Sequence, residues 1–174
     1  DRTPRYRPGE SFLSADGIHA LAHQAEFLRP DGTWVVLRDN LLKGGHYYAA
    51  EKPREEDFYP PAVETDIYGG AQMIAGELPD GRPWMICNSC DDDFSDIDRS
   101  RKHMYLTLSD DGRTFDRTWL LLYVERESDG GIYKGGGPQY YKHVVVGDNI
   151  WVVYSITKEK VGMTKIPMHL FDGA

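Results

Sequence analysis

The clearest alternation of apolar and polar positions in this chain lies at Met104–Leu108. There Met104, Leu106 and Leu108 are apolar and the residues between them are not. A period of two predicts a half-buried strand. The turn Ser109-Asp110-Asp111-Gly112-Arg113-Thr114 follows, Phe115 anchors it, and TWLLL at 118–122 reads as the returning strand. Ser and Asp side chains can hydrogen-bond the backbone of such a turn, and Gly112 supplies a positive φ. No segment carries sustained helical periodicity.

The same unit recurs. PDGTWVVLRDN at 30–40, PDGRPWMICNS at 79–89 and GDNIWVVYSIT at 147–157 each lead a Gly/Asp turn into a tryptophan: Trp34, Trp84 or Trp151. Four residues on stand Arg38, Asn88 and Ser155. Strand-like runs precede each turn (HQAEFL, AQMIAGEL, HVVV) and follow each tryptophan strand (HYYAAE, HMYLTL, VGMTKI). Phe58 follows the third strand of the first unit as Phe115 does in the second. Three or four short antiparallel strands per roughly 50 residues fit a propeller blade. A β-sandwich with coincidental tryptophan spacing is the alternative. The expected organisation is a connecting segment at 1–17, then about three blades at 18–65, 66–122 and 138–168 within a unit spanning 18–174.

Composition narrows the function classes. The 174 residues are 40% hydrophobic and 28% charged, enough for one core. The net charge of −8 argues against a broad basic surface for nucleic acid. No apolar run approaches the roughly 20 residues that cross a bilayer. Neither nucleic acid nor membrane is therefore expected as a partner.

Cys87 and Cys90 form a single CxxC. They read as a buried strand cysteine and a loop cysteine. Half a zinc site, a local disulfide and a thioredoxin-like motif are the alternatives, and the last lacks its βαβ context. The stretch Cys90–Lys102 holds five aspartates, then three basic residues. It reads as a solvated loop, with calcium binding or a substrate-facing role as alternatives; the spacing of an EF-hand is absent. Lys52–Pro61 is a charged, Pro-rich loop. The glycines of ESDGGIYKGGGP lack a following Lys-Ser/Thr, so a connection between blades is expected rather than a phosphate loop. His19 and His23 would suit a metal only on a helix, and this stretch reads as the approach to a strand. No metal site and no cofactor are assigned.

The turn SDDGRTF resembles the Asp-box of sialidases and related propellers, S-x-D-x-G-x-T-W/F, with one residue fewer between Ser109 and Phe115. The longer stretches RSRKHMYLTLSDDGRTF and GGGPQYYKHVVVGDNIWVVYSITKEKVGMTKIPM resemble the C-terminal part of bacterial sialidase-like, carbohydrate-active propellers. Arg101, Gln139, Tyr140, Trp151, Tyr154, Ser155, Lys158, Glu159, Ile166 and Pro167 fall on that pattern; Tyr141 stands where proline is usual. The resemblance covers most of residues 20–168. It implies an all-β propeller of the sialidase-like type, a carbohydrate substrate and an extracellular or periplasmic location. Such propellers have five to seven blades, and about three are read here. The ring is therefore expected to be incomplete within this chain. Missing N-terminal blades, favoured by the start at Asp1, or self-association would complete it.

Candidate chemistry follows from both lines. Arg38, Asn88 and Ser155, equivalent in the repeat, are expected at similar depths around the axis. The guanidinium of Arg38 suits a carboxylate, as in sialic or uronic acids, or an inter-blade ion pair with Asp39. The resemblance adds Arg101 as a second substrate-binding arginine. It also makes Tyr140 a candidate nucleophile, since sialidases use tyrosine. Glu26, Glu77 or Glu159 would take its proton. Tyr140 as a sugar platform or packing residue is the alternative. His103 is a candidate general acid or base or a structural histidine. Lys158 and Glu159 form either a local ion pair or part of a polar channel rim. The function expected is exo-acting glycoside hydrolysis on an acidic or decorated glycan. A polysaccharide lyase, a carbohydrate-binding propeller and an assembly module are the alternatives.

Overall fold

The structure is a computed structural model, and it describes residues 14–17, 21–40, 45–69, 72–88, 101–125 and 137–173. Cys90, His19, most of the aspartate-rich insertion and most of the glycine-rich stretch lie outside the described residues.

Eleven strands form three antiparallel sheets among these residues. The first holds β1 (Leu21–Leu28), β2 (Thr33–Asn40), β3 (Gly45–Pro53) and β4 (Val63–Gly69), paired in chain order. The second holds β5 (Met73–Glu77), β6 (Pro83–Asn88), β7 (His103–Leu108) and β8 (Arg117–Tyr123), likewise in order. In the third, β10 (Asn149–Ile156) lies between β9 (Pro138–Val146) and β11 (Lys160–Pro167). A 3-10 turn at Met168–Phe171 ends the described chain. The leading strands of successive sheets meet, β1 against β5 and β5 against β9, as sectors around an axis do. The expected boundary after residue 65 falls inside β4. That strand pairs with β3, so the first unit runs on to Gly69.

Between the sheets lie apolar layers. Phe27, Val35, Leu37 and Tyr47 of the first sheet pack on Met73, Met85 and Cys87 of the second. Trp84, Ile86, Met104 and Leu106 of the second pack on Ile150, Val152 and Tyr154 of the third and on Phe171 of the turn that follows it. A third cluster, with Leu21, Val36, Tyr48 and Ala50, lies on the first sheet's other face. Side chains of one strand alternate between faces, so the first and second sheets each serve two layers, and the third serves one.

The acidic turn of the second sheet locks the first interface. Asp111 Oδ1 accepts from the backbone N–H of Arg113 at 2.7 Å and of Thr114 at 2.9 Å, while Ser109 Oγ accepts from Gly112 N–H at 2.7 Å. Those bonds hold the Asp111 carboxyl below the usual carboxylate range. Gly112 has φ +70°, and its carbonyl accepts from buried Arg29 Nε at 3.1 Å. Arg29 also pairs with Glu51, at 2.6 and 2.7 Å. Phe115 meets Phe27 edge-on at 5.8 Å, whereas Phe58 is exposed on its loop, so the two are not equivalent.

The three repeat tryptophans lie on second strands, β2, β6 and β10, and the fourth, Trp119, lies on β8. Their orientation corrects the repeat. Trp84 faces away from the first sheet and onto the third, and Trp151 likewise lies on the side of β10 turned away from the preceding sheet, but Trp34 shares the Val36 face, turned away from the sheet that follows it. Arg29 and Leu78 occupy matching hairpin positions, each donating to the residue four further on, Thr33 and Arg82. Pro83 is thus the match of Trp34, and Val35 the match of Trp84. A one-residue slip reverses the face of every later side chain. Arg38 consequently faces opposite to Asn88, whose counterpart is buried Asp39.

Candidate functional site

The third sheet contains an irregularity that organises the site. β9 and β10 pair regularly from Asn149↔Val146 to Val153↔Lys142, slip, and resume at Ser155↔Gln139. Tyr140 and Tyr141 together stand opposite Tyr154, which is a β-bulge. Tyr140 has φ +58°, uncommon for a bulky residue. Its N–H, out of the ladder, donates to Gln72 Oε1 at 2.8 Å, and its side chain is 48% exposed. Tyr141 turns inward instead. Its hydroxyl donates to the Pro138 carbonyl at 2.9 Å, and burial pushes its phenol well above the usual range.

The hairpin from β10 to β11 reaches the same place. Thr157 and Lys158 have φ +54° and +60°, and Glu159 N–H donates to the Ile156 carbonyl at 3.0 Å. Positive φ at both central residues characterises a primed hairpin turn. Thr157 N–H donates to the Gly137 carbonyl at 3.1 Å, and Lys158 Nζ sits 5.6 Å from the centroid of the Tyr140 ring.

The second sheet closes on this group. Gly137 has φ +84°, and a Cβ there would lie 1.8 Å from the Arg101 carbonyl oxygen, so only glycine permits the approach. The side-chain amide nitrogen of Asn88 lies 3.3, 3.1 and 3.0 Å from the carbonyl oxygens of Arg101, His103 and Pro138. Arg101 Nη1 donates to Oε1 of Gln139, which is fully buried. Gln139 thereby fixes the guanidinium beside the bulge.

Asn88 and Arg101 are therefore brought to the Pro138–Gln139 stretch just before Tyr140, and Lys158 to the Tyr140 ring, with Glu159 in the turn that carries Lys158. Two candidates are not. Arg38 Nη2 donates to Gln24 Oε1 at 2.8 Å on the other face of the first sheet. The His103 ring lies against Tyr105 and Tyr123, at 5.7 and 5.0 Å, on the side of its sheet opposite Met104 and the third sheet. Glu77 is an inter-sheet tie, accepting from Leu28 N–H. Gln72, Gly137 and Thr157 were not singled out by sequence. Gly137 directly before Pro138-Gln139-Tyr140 was the available signal.

A separate cleft of about 380 Å³ opens between β4 and the second sheet, lined by Asp66, Tyr68, Tyr105, Arg113 and Phe115 among others. Of the grouped residues only Asn88 borders it. The bulge, not this cleft, holds the grouped basic side chains. Among the described residues, no three His, Cys, Asp or Glu side chains gather where they could hold a metal ion.

This is the fold of a β-propeller, with three of its blades present. Its solved neighbours include an α-L-arabinofuranosidase from Fusarium graminearum in complex with an iminosugar inhibitor, at 10% identity and TM-score 0.56, covering 96% of this chain and 48% of that one. An α-L-arabinanase from Penicillium chrysogenum complexed with arabinobiose matches at 11% identity and TM-score 0.53, over 83% of this chain and 45% of that one. An α-L-arabinofuranosidase from Podospora anserina in complex with cellotriose matches at 13% identity and TM-score 0.51, over 87% and 54%. The chain spans about half the length of these structures. No family model matches the sequence, and no curated protein matches it.

Proposed function

We propose that this chain contributes half of a glycan-processing propeller, with the sugar held at the Tyr140 bulge. The observation that carries this reading is the bulge itself. It sets a tyrosine in a left-handed backbone and turns its ring outward towards Lys158, 5.6 Å away, while Gln139, the preceding residue of the strand, tethers Arg101. Bulges re-aim side chains next to active sites, and strained residues persist where surrounding structure holds them. The carbohydrate ligands of the arabinan-acting and cellotriose-bound neighbours support a sugar as the bound class.

Arg101 and Lys158 favour an acidic or decorated glycan over a neutral one. With the sialidase-like resemblance, this supports exo-acting hydrolysis. Tyr140 Oη would attack the anomeric carbon as the glycosidic C–O bond breaks, its proton passing to a carboxylate, for which Glu159 is the candidate; the aglycone oxygen leaves as an alcohol with a proton taken from solvent, and water then cleaves the tyrosyl–sugar bond and returns a proton to Tyr140. Asn88 holds the backbone under the site. Arg38 and His103 take structural roles in this reading. Further blades, or a second copy, complete the ring.

The test is product analysis with sialosides and uronate-terminated oligosaccharides, on parent and Tyr140→Phe. Hydrolysis by the parent, lost in Tyr140→Phe with binding retained, supports the reading. An unsaturated, ultraviolet-absorbing product would make it a lyase, and binding without turnover a carbohydrate-binding module. Absence of any glycan binding refutes it.

A further inference from the structure

The cleft between β4 and the second sheet exposes an aromatic face that packing leaves free. The apolar layer joining the first two sheets reaches Met73, Ala75, Met85 and Cys87 on β5 and β6, and no described residue of β7 or β8 belongs to it. Tyr105 and Thr107 stand opposite Cys87 and Met85, and cross-strand partners share a face. Both therefore look toward the first sheet, beyond the part that it covers, and Tyr105 is only half-buried. His103 lies two residues back on the same face. Its ring stacks on Tyr105 at 5.7 Å, with 23° between the planes. The cleft, about 380 Å³, is lined by Tyr105 and Thr107 and not by His103. One face of the Tyr105 ring is thus taken by His103, and the other borders the cleft.

The polar groups beside that ring indicate the ligand. Thr118 Oγ1 donates to Thr107 Oγ1 at 3.2 Å, which leaves buried Thr107 its own hydroxyl hydrogen to give. Asp66 and Arg113, both exposed, border the cleft with one charge of each sign. A pyranose has an apolar C–H face and a hydroxyl edge, and it matches a ring face set beside a hydroxyl and balanced charges. A wholly apolar ligand would leave those polar groups unanswered, and an acidic one would meet Asp66. The volume lies within the roughly 300–1,000 Å³ of small-molecule sites. We propose that this cleft binds a neutral sugar unit, stacked on the free face of Tyr105 with its hydroxyls toward Thr107, Asp66 and Arg113. His103 is then a positioning residue, which holds the Tyr105 ring from behind. The cleft is bordered by none of Arg101, Tyr140 and Lys158, so this second site does not depend on the reading given for the bulge.

The experiment is calorimetric titration of neutral glucan, mannan and xylan hexasaccharides into the parent chain and its variants, with Tm measured on each. At least one of the three should bind the parent. Tyr105→Leu should weaken it about tenfold or more, while Tyr105→Phe, which keeps the ring, should bind like the parent. Should Tyr105→Leu fail to fold, Asp66→Ala with Arg113→Ala, at exposed positions, carries the test, again with binding weakened about tenfold. An excess of methyl sialoside should not displace the neutral sugar. The proposal is overturned if none of the three binds, or if a folded Tyr105→Leu or rim variant keeps the parent affinity. Displacement by the sialoside would put both sugars in one site and overturn it as well. So would uptake of anilinonaphthalene sulfonate with no sugar bound, which marks a site for apolar ligands.

Discussion

Lys158 Nζ lies 5.6 Å from the centre of the Tyr140 ring, and both residues hold left-handed backbone conformations. A cation within about 6 Å of an aromatic centroid is attracted to the ring face, by about 0.5–1 kcal/mol at exposed sites. Two sterically costly conformations, one in a strand and one in a hairpin turn of the same sheet, thus place a cation against an exposed phenol.

The backbone at Lys158 separates strain from chemistry. A left-handed conformation costs an L-residue roughly 1–2 kcal/mol, most for a β-branched one. Lys158→Gly removes that cost together with the cation, whereas Lys158→Val raises it. Thermal denaturation should find Lys158→Gly the more stable of the two by at least about 1 kcal/mol. Both should bind an acidic glycan more weakly than the parent. Equal stability of the two variants would contradict the left-handed assignment.

Asp111 belongs to the fold and not to the sugar. Its carboxylate accepts from two backbone N–H groups and lies 3.1 Å from the Ser109 hydroxyl, all within one turn. Asp111→Ala should lose about 1 kcal/mol, lowering Tm by roughly 2–4 °C for a chain of this size. Glycan affinity should stay at the parent value. Because the folded carboxyl is held below its unfolded pKa, its contribution is present above the unfolded value and lost as pH falls through the folded one. Asp111→Asn should therefore show a flatter fall in stability through the acid range. A drop in affinity at unchanged Tm would place Asp111 in the site.

His143 gives a pH dependence nearer neutrality. Its ring meets Trp84 edge-on at 4.8 Å, and desolvation of that packed side, assisted by Lys142, lowers its pKa from the ordinary 6.5 although the residue keeps an exposed side. The unfolded chain then binds the proton more readily than the folded one. Stability from this group is complete above 6.5 and declines as pH falls below it through the folded value. Urea unfolding of the parent between pH 7.5 and 5, a window of about one unit either side of that value, should show this decline, and His143→Gln should lessen it. Identical slopes would remove His143 as the cause.

Much of the fold was legible because its signals are local. The Asp turns, the strand alternation and the recurrent tryptophans need only neighbouring residues, and all three tryptophans fell on second strands. What failed was register. The extra Pro83 between the turn and Trp84 moves the second unit by one position, which in a strand exchanges faces. Arg38 was accordingly grouped with Asn88 although the two point to opposite sides. β4 was missed because VETDIYG is polar on its exposed positions and follows a Pro-rich loop. Arg101, Tyr140 and Lys158 were candidates through the sialidase-like resemblance alone. The pairing of Lys158 with Tyr140 and of Arg101 with Gln139 depends on a bulge at Tyr140, a close approach at Gly137 and the burial of Gln139, and none of these is visible in neighbouring residues.

The central claim is that a glycan binds beside the Tyr140 bulge through Arg101. Its most direct test is calorimetric titration of a carboxylate-bearing oligosaccharide into the parent and Arg101→Gln, with Tm measured on both. The account predicts at least about tenfold weaker binding by Arg101→Gln, in line with the roughly 2–5 kcal/mol lost when a bound charge loses its partner. Parent-like affinity in a folded Arg101→Gln protein would contradict it.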